Sequence, residues 1–280
     1  MATEELINHL EEKARQLRLS VVEMMGIGKV GHLGGSCSCA DIVAALYYHR
    51  MKVDPQNPKK ADRDRFLLSK GHAALVQYAA LADLGFFPKE ELQRVKALGG
   101  MLQGHPDMIK TPGVEANTGS LGQGLSIANG MALGLRLDGI ESKVFVIIGD
   151  GELAEGQIWE AAMASVNFGL DNLVAIVDQN GLQATGPIIE RFNTNPLTPK
   201  WAGFGWHVIE IDGHSMREIV AALEEADATR GKPTVIIAKT VKGKGISFAE
   251  NNAAFHNGAM TAEQYELAKR ELSIVARGGC

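Results

Sequence analysis

Residues 144–151 read Val-Phe-Val-Ile-Ile-Gly-Asp-Gly, and residues 173–181 read Leu-Val-Ala-Ile-Val-Asp-Gln-Asn-Gly. Each stretch begins with an unbroken apolar run, rich in β-branched residues, and ends in a polar turn. Such runs are typical of strands that are buried on both faces of a parallel sheet. Residues 207–211 and 234–238 carry two more apolar runs. The sequence therefore predicts four strands of one parallel sheet.

Helical spacing of apolar residues occurs before, between and after these strands. Patterns of this kind cover residues 3–25, 38–47, 72–84, 89–98, 123–137, 157–168 and 215–228, and a last one begins at residue 261. Capping sequences stand at the start of three of them: Ser38-x-x-Asp41, Ser215-x-x-Glu218 and Thr261-x-x-Gln264. Alternating strands and helices imply right-handed crossovers, so we predict an α/β fold of three layers, α/β/α, around a mainly parallel sheet. No linker-like stretch, repeat or charge run interrupts the chain, which predicts a single domain over residues 1–280.

Charge and composition argue against several classes of protein. The 280 residues include 28 Lys plus Arg and 33 Asp plus Glu, for a net charge of −5. This balance disfavours nucleic-acid binding through the phosphate backbone. The chain has no apolar stretch long enough for a membrane span, and its acidic start lacks the features of a signal peptide. Cys37, Cys39 and Cys280 cannot all pair and have no zinc-site spacing, which favours reduced thiols and a cytoplasmic protein.

Glycine is abundant, at 32 of 280 residues, but it forms no low-complexity linker. We therefore expect glycines where the backbone turns sharply or approaches a ligand closely. Residues 26–31 read Gly-Ile-Gly-Lys-Val-Gly and match the dinucleotide-binding pattern. They follow a helical pattern instead of a strand, so their context is wrong for a dinucleotide site. The sequence also contains no Walker-type nucleotide-binding motif.

Polar residues follow two of the predicted strands at the points where they end. Asp150 lies between Gly149 and Gly151, and Asn180 follows it by 30 positions, the length of one strand–helix–strand unit. The carboxyl ends of neighbouring parallel strands meet at one edge of the sheet, where α/β folds bind ligands. A carboxylate and an amide oxygen suit a hard divalent cation, which takes further oxygens from phosphates. Flanking glycines leave room for a diphosphate, although either turn alone would be ordinary.

The chain has eight histidines, and four of them directly follow a glycine: His32, His72, His105 and His214. Chance would give about one such pair at this glycine content. Imidazoles in such loops can reach a ligand and exchange protons near neutral pH. The pattern therefore indicates a polar site that collects several imidazoles. His214 stands just before a helix cap, and we expect it to have a structural role.

Taken together, these stretches resemble the N-terminal, thiamine diphosphate-binding part of transketolases over nearly the whole chain. The family's cofactor signature is Gly-Asp-Gly with an Asn downstream, here residues 149–151 and Asn180. Further similar stretches are Gly31-His32, residues 68–73 (LSKGHA), 104–106 (GHP), 118–124 (TGSLGQG), 149–161 (GDGELAEGQIWEA) and 239–245 (KTVKGKG), with His256 downstream.

The resemblance implies a role for each matching residue. The implied metal ligands are Asp150, Asn180 and the backbone carbonyl of Leu182. The implied cofactor contacts are His72, Gly119, Leu121, Gly151, Asn180, Lys242 and His256. The implied catalytic residues are His32, His72, His105 and His256, of which His32 and His105 face the substrate. Lys70 matches a lysine on the cofactor or substrate side, and Glu155 would lie at the contact between two subunits.

The implied reaction is transfer of a two-carbon ketol unit from a ketose to an aldose, usually both phosphorylated. The implied cofactors are thiamine diphosphate and Mg²⁺, although Ca²⁺ and Mn²⁺ take similar oxygen ligands. One-chain transketolases are more than twice this length. We therefore expect the chain to act with a separate C-terminal subunit, as an α2β2 heterotetramer. That partner would supply the glutamate that activates the cofactor and most contacts to the substrate phosphate.

Other functions remain open on the sequence. A thiamine diphosphate-dependent 2-oxo acid dehydrogenase or synthase subunit would use the same cofactor. The four-histidine pattern disfavours the dehydrogenase, and the short length disfavours the synthase. A non-catalytic regulatory paralogue is also disfavoured, because a retired site has no physical need for this set of residues.

Overall fold

Five parallel strands form the central sheet of the computed structural model, which describes residues 2–273. In chain order the strands are β1 (Arg65–Leu68), β2 (Val144–Gly149), β3 (Leu173–Gln179), β4 (Leu182–Gln183), β5 (Gly186–Pro187), β6 (His207–Asp212) and β7 (Thr234–Lys239). The sheet has the order β1-β2-β3-β7-β6, and β4 and β5 form a separate antiparallel hairpin. Cys280 lies outside the described residues.

All four predicted strands are confirmed, and the central sheet has one more, β1, while the hairpin of β4 and β5 is not predicted either. The sequence pattern misses β1 because its four residues are too short a run to show a period. The expected burial on both faces is wrong for β6. This strand pairs only with β7, and Ile211 is its single buried residue, because an edge strand has solvent on one side.

Helices cover both faces of the sheet. They are α1 (Glu4–Met25), α2 (Leu33–Ser38), α3 (Ala40–Ala45), α4 (Ala74–Leu84), α5 (Gln123–Leu137), α6 (Gly156–Asn167), α7 (Ile188–Arg191), α8 (Thr198–Gly203), α9 (Met216–Ala228) and α10 (Ala262–Ser273). Thr261 and Gln264 form the predicted capping box before α10, each donating its N–H to the other's side chain. Ser215 caps α9 by accepting the Glu218 N–H. In the described part of the chain, residues 2–273, no helix has the length and apolar character needed to cross a bilayer.

Two helix predictions are wrong in detail. Ser38 does not begin a helix, because it ends α2 and donates its hydroxyl to the Asp178 carboxylate (2.6 Å). Asp41 lies within α3 and pairs with Arg18 of α1. Residues 89–98 form only a 3₁₀ turn, Lys89–Arg94, with no buried residue. A longer helix there would have no packed face to stabilise it.

Alternate residues of each central strand enter two separate cores, as the strand period of two requires. Phe145 and Ile147 of β2 belong to one core, which also contains the buried faces of α1 and α4. Val146 and Ile148 belong to the other, which contains those of α5 and α6. The predicted α/β/α arrangement is therefore confirmed.

Candidate active site

The ends of β2 and β3 are joined through the carboxylate of Asp150. It accepts hydrogen bonds from the Gly151 N–H (2.8 Å) and from the Gly181 N–H (2.6 Å), which follows β3. Asp150 is only 3 % exposed. Burial and the nearby charge of Asp178 raise the pKa of Asp150 to about 7. A divalent cation at this carboxylate would counter both effects.

Two more oxygens belong to residues that line the same cavity as Asp150. The Asn180 Oδ1 accepts the Leu182 N–H (3.1 Å), and the Leu182 carbonyl accepts a hydrogen bond from the Lys242 ammonium (2.8 Å). Asp150, Asn180 and Leu182 line one cavity. A carboxylate, an amide oxygen and a backbone carbonyl are hard ligands, so their chemistry fits Mg²⁺ or a similar cation. No cluster of three or more His, Cys, Asp or Glu suited to a metal occurs in residues 2–273.

The cavity has a volume of about 150 Å³ and partly glycine walls. A Cβ on Gly35 would stand 3.2 Å from the His72 Nε2, and one on Gly151 would stand 3.2 Å from the Gln183 Cβ. Both are tighter than ordinary contacts. Glycine therefore keeps the cavity open where a diphosphate would need to approach the backbone.

A larger cavity of about 350 Å³ lies at the opposite, amino-terminal edge of the sheet. Its cations are already engaged: Arg136 donates to the Phe168 carbonyl, Lys143 to the Asp171 carbonyl and Arg230 to the Thr229 carbonyl. None of the predicted site residues lines it. The smaller cavity therefore carries the candidate site.

Four imidazoles gather at this site, from four separate segments of the chain. The ring centroid of His32 lies 5.2 Å from that of His72, 6.1 Å from that of His105 and 5.5 Å from that of His256. His72 and His256 are 4.8 Å apart and both line the cavity. The structure thus brings together the four histidines that were predicted to be catalytic, and their roles stay predictions.

Their surroundings keep these rings neutral. Burial and the positive charges of Lys96 and Lys242 lower the pKa of His32 to about 4. Burial and Lys242 lower the pKa of His256 to about 4, and burial and Lys96 also lower that of His105. A neutral imidazole has one nitrogen that can accept a proton and one N–H that donates a hydrogen bond. The rings of the cluster are therefore available near pH 7 as proton acceptors and hydrogen-bond donors.

The cluster also predicts acid sensitivity of the fold. In the unfolded chain His32 and His256 take up protons near pH 6.5, whereas their folded pKa values are about 4. A lowered pKa gives stability that is present above the unfolded value and is lost as the pH falls toward the folded value. We expect the melting temperature to fall less steeply from pH 7 to pH 5 for His32→Gln than for the wild type. Thermal unfolding followed by circular dichroism measures this, with exposed His49→Gln as the control. Equal slopes for all three chains would contradict the prediction.

The two predicted lysines differ in their surroundings. Lys242 donates to the Leu182 carbonyl and lies 3.0 Å from the His256 Nδ1, so its ammonium faces the cavity. Burial and Lys70 lower the pKa of Lys242 to about 8. Lys70 is fully buried and donates to the Gly35 carbonyl (2.6 Å) and the Asp178 carboxylate. Its charge is therefore already paired within the chain.

The loop before α5 packs closely on the turn that carries His72. A Cβ on Gly71 would come within 2.6 Å of the Thr118 carbonyl carbon, and one on Gly119 within 2.7 Å of the His105 ring. Gly119 also has φ +138°, which favours glycine. Leu121 of the same loop lines the cavity. Glycine thus serves close approach here, as expected from the sequence.

Sequence analysis missed two buried carboxylates beside the site. Glu152 accepts the Gly122 N–H (2.8 Å), the Gly149 N–H (3.1 Å) and the Ser69 hydroxyl, so it ties three loops together. Asp178 holds Lys70. Glu152 directly follows the conspicuous Gly-Asp-Gly stretch, residues 149–151, and this position is a signal that could have identified it. Asp178 ends an apolar run and carries no comparable signal.

The remaining predicted residues lie outside the cavity. Glu155 is exposed on the surface, beside Gly122. His214 has the expected structural role: its Nδ1 lies 2.7 Å from the Asp41 carboxylate, and its Nε2 accepts the Val241 N–H.

The sequence of the chain is similar to a known domain family and to named transketolase subunits. The family model of the transketolase thiamine diphosphate binding domain matches residues 9–276. The chain is 48 % identical to a 6-deoxy-6-sulfo-D-fructose transketolase subunit of Clostridium sp. strain MSTE9, covering 94 % of this chain and 96 % of that one. It is 43 % identical to an apulose-4-phosphate transketolase subunit of Phocaeicola vulgatus, covering 95 % of each.

Longer transketolases match over less than half their length. The solved structure of transketolase from Leishmania mexicana superposes with a TM-score of 0.87 at 33 % identity, covering 97 % of this chain and 41 % of that one. Human transketolase is 39 % identical over 94 % of this chain and 42 % of its own length. The resemblance seen in the sequence is confirmed. The chain belongs to the transketolase family and corresponds to its thiamine diphosphate binding domain.

Proposed function

We propose that the chain is the N-terminal subunit of a two-chain transketolase, which transfers a two-carbon ketol unit from a ketose to an aldose. The observation that carries this proposal is that two groups of residues lie next to each other at one edge of the sheet. Three hard oxygen ligands line a glycine-walled cavity, and four neutral imidazoles gather at its side. The first group suits a metal diphosphate, and the second suits proton transfer to a sugar.

The diphosphate half of the cofactor site lies entirely within this chain. Asp150, Asn180 and the Leu182 carbonyl would hold Mg²⁺, and Gly151 would let the diphosphate approach. When bound, thiamine diphosphate supplies the carbanion chemistry that breaks and forms the carbon–carbon bond. Lys242 would place its positive charge beside the diphosphate, because its ammonium already faces the cavity.

The imidazoles would handle the protons of the sugar. His72 and His256 line the cavity, whereas His32 and His105 belong to the cluster but not to that lining. We assign His32 and His105 to the substrate, and His72 and His256 to the cofactor side. Low pKa values keep the rings available as proton acceptors at neutral pH.

A separate C-terminal subunit would complete the site, in an α2β2 heterotetramer. This chain matches nearly the full length of relatives that are named as transketolase subunits, and it matches about two fifths of the one-chain enzymes. We infer that a second polypeptide supplies what the other parts of those enzymes contribute. Exposed Glu155 would lie at the contact between subunits.

Both of these relatives are named for sugars with an anionic group, a sulfonate in one and a phosphate in the other. We propose that this enzyme also acts on an anionic ketose and aldose. The alternative dehydrogenase, synthase and regulatory functions find no support among these relatives.

Reconstitution tests the proposal. We expect ketol transfer from xylulose 5-phosphate to ribose 5-phosphate only when this chain, its partner subunit, thiamine diphosphate and Mg²⁺ are all present. A coupled spectrophotometric assay measures the transfer, and each single omission is a control. The donor panel includes 6-deoxy-6-sulfofructose, and the acceptor panel spans aldose phosphates. Full activity of the lone chain would overturn the two-subunit proposal, and a mixture that binds no cofactor would overturn the proposed site.

A further inference from the structure

Asp178, the sixth residue of β3, carries a charge for which the proposed reaction has no direct use. It is 0 % exposed. Its Oδ2 accepts hydrogen bonds from the Ser38 hydroxyl (2.6 Å) and the Lys70 ammonium, and its Oδ1 accepts one from the Thr240 hydroxyl. The Lys70 ammonium and the two hydroxyl donors all face this carboxylate, and such partners favour its ionised form. Two buried charges are costly, and this pair adjoins the candidate metal ligands.

A further hydrogen bond links this carboxylate to the site. Asn180 donates its Nδ2 to the Asp178 Oδ2 (3.2 Å). An ionised carboxylate can only accept, so it selects the amide orientation in which nitrogen faces it. The Asn180 Oδ1 then points the other way, where it accepts the Leu182 N–H (3.1 Å). The opposite orientation would place two oxygens against each other.

We propose that Asp178 is a positioning residue that holds the Asn180 amide with its oxygen, and not its nitrogen, toward the divalent cation. Lys70 and Ser38 hold the carboxylate in place, so the role of the buried ion pair is to fix the orientation of Asn180. This inference rests on the proposed function, because it takes Asp150 and Asn180 as metal ligands. Partners of this kind typically change metal affinity about 10- to 100-fold.

The test measures Mg²⁺ binding by the full chain in the presence of inorganic pyrophosphate, by isothermal titration calorimetry. This probe needs only the metal and diphosphate half of the site. Asp178→Asn is expected to weaken Mg²⁺ binding about 10- to 100-fold. Its new amide can donate to Asn180, and so it no longer selects the orientation of that residue.

A second substitution separates positioning from general damage. Asn180→Asp offers the cation an oxygen in either orientation. When residue 180 is already Asp, the further change Asp178→Asn should therefore lower Mg²⁺ affinity by less than about threefold. If Asp178 had a merely structural role, Asp178→Asn would lower Mg²⁺ affinity equally with Asn or Asp at position 180. Thr240→Val is the matched control. It removes another hydrogen bond from the same carboxylate but leaves the one to Asn180, so Mg²⁺ affinity should stay within about threefold of the wild type.

Asp178→Asn leaves Lys70 buried without its counter-ion, so the double substitution Lys70→Met with Asp178→Asn provides a neutral version. Melting temperatures without metal verify that each variant folds, and the neutral version is expected to lose Mg²⁺ affinity in the same way. If the wild type binds Mg²⁺ with pyrophosphate and neither version binds it more weakly, the inference is overturned while the proposed site stands. If the wild type binds neither Mg²⁺ nor pyrophosphate, both the proposed site and this inference are overturned.

Discussion

Asp150→Ala is expected to weaken the binding of thiamine diphosphate with Mg²⁺ at least about a hundredfold, while the chain keeps its fold. The carboxylate is the only charged oxygen among the three proposed ligands. Without it, the neutral oxygens of Asn180 and Leu182 remain beside the ammonium of Lys242, which repels a cation. The remaining site therefore loses both a ligand and its electrostatic attraction for the metal.

The fold should survive this change. Asp150 lies beyond β2 in a polar cavity, and its side chain accepts two backbone hydrogen bonds, from Gly151 and Gly181. Losing them costs about 1–3 kcal/mol. Burial and the charge of Asp178 raise the pKa of Asp150, so its negative charge is unfavourable without a metal, and removing that charge offsets part of the cost. Calorimetry of the two-chain complex measures binding, and circular dichroism measures the melting temperature.

Asp212→Ala is the matched control, because Asp212 is also a carboxylate at a strand end. It ends the edge strand β6, is exposed, and accepts one backbone N–H, that of His214 (2.9 Å). Cofactor affinity should be unchanged in this variant. Binding by Asp150→Ala within about threefold of the wild type would show that the metal ligands are assigned wrongly.

The metal half of the candidate site follows from sequence because its residues stand directly after strands. The register of β2 and β3 pairs Gly149 with Asp178, so the residues that come next lie side by side. Apolar runs locate the strand ends, and parallel pairing brings those ends to one edge. Only local patterns and one topological rule are needed for Asp150 and Asn180, whereas the Leu182 carbonyl is implied by the family resemblance alone.

The imidazole cluster is harder to predict. His32 precedes α2, His72 lies in a 3₁₀ turn after β1, and His256 follows another 3₁₀ turn. No period joins these segments, and β1 itself is too short to be seen in the sequence. Glycine neighbours and the family resemblance identify most of these residues, but only the fold shows that their rings are in reach of one another.

The network around Asp178 lies beyond sequence reasoning. Its partners Ser38, Lys70 and Thr240 come from three distant segments, and the sequence pattern assigns Ser38 to a helix start instead. Buried polar networks depend on long-range packing, which no local pattern encodes. The role proposed for Asp178 depends on knowing which atom donates and which accepts in each hydrogen bond, and only the folded structure gives this.

His105→Ala is expected to lower kcat of the reconstituted enzyme by about 10²- to 10⁴-fold, the range of a lost proton-transfer group, with little change in melting temperature. His105 is an exposed residue, but its ring is partly covered, since it packs against Gly119 and lies 6.1 Å from the ring of His32. This partial burial and the charge of Lys96 lower its pKa, so the ring is neutral at pH 7 and can accept a proton. Among the described residues its ring nitrogens have no hydrogen-bond partner, so its removal leaves no buried group unsatisfied.

His105→Gln separates proton transfer from hydrogen bonding, because an amide can donate a hydrogen bond but cannot exchange a proton at neutral pH. If His105 transfers a proton, the Gln variant should be nearly as slow as the Ala variant. If it only orients the sugar, Gln should restore much of the rate, and the loss in Ala should appear in KM. Steady-state kinetics with xylulose 5-phosphate and ribose 5-phosphate distinguish these outcomes, with exposed His49→Ala as the control. A kcat of His105→Ala equal to that of the control would remove His105 from the reaction.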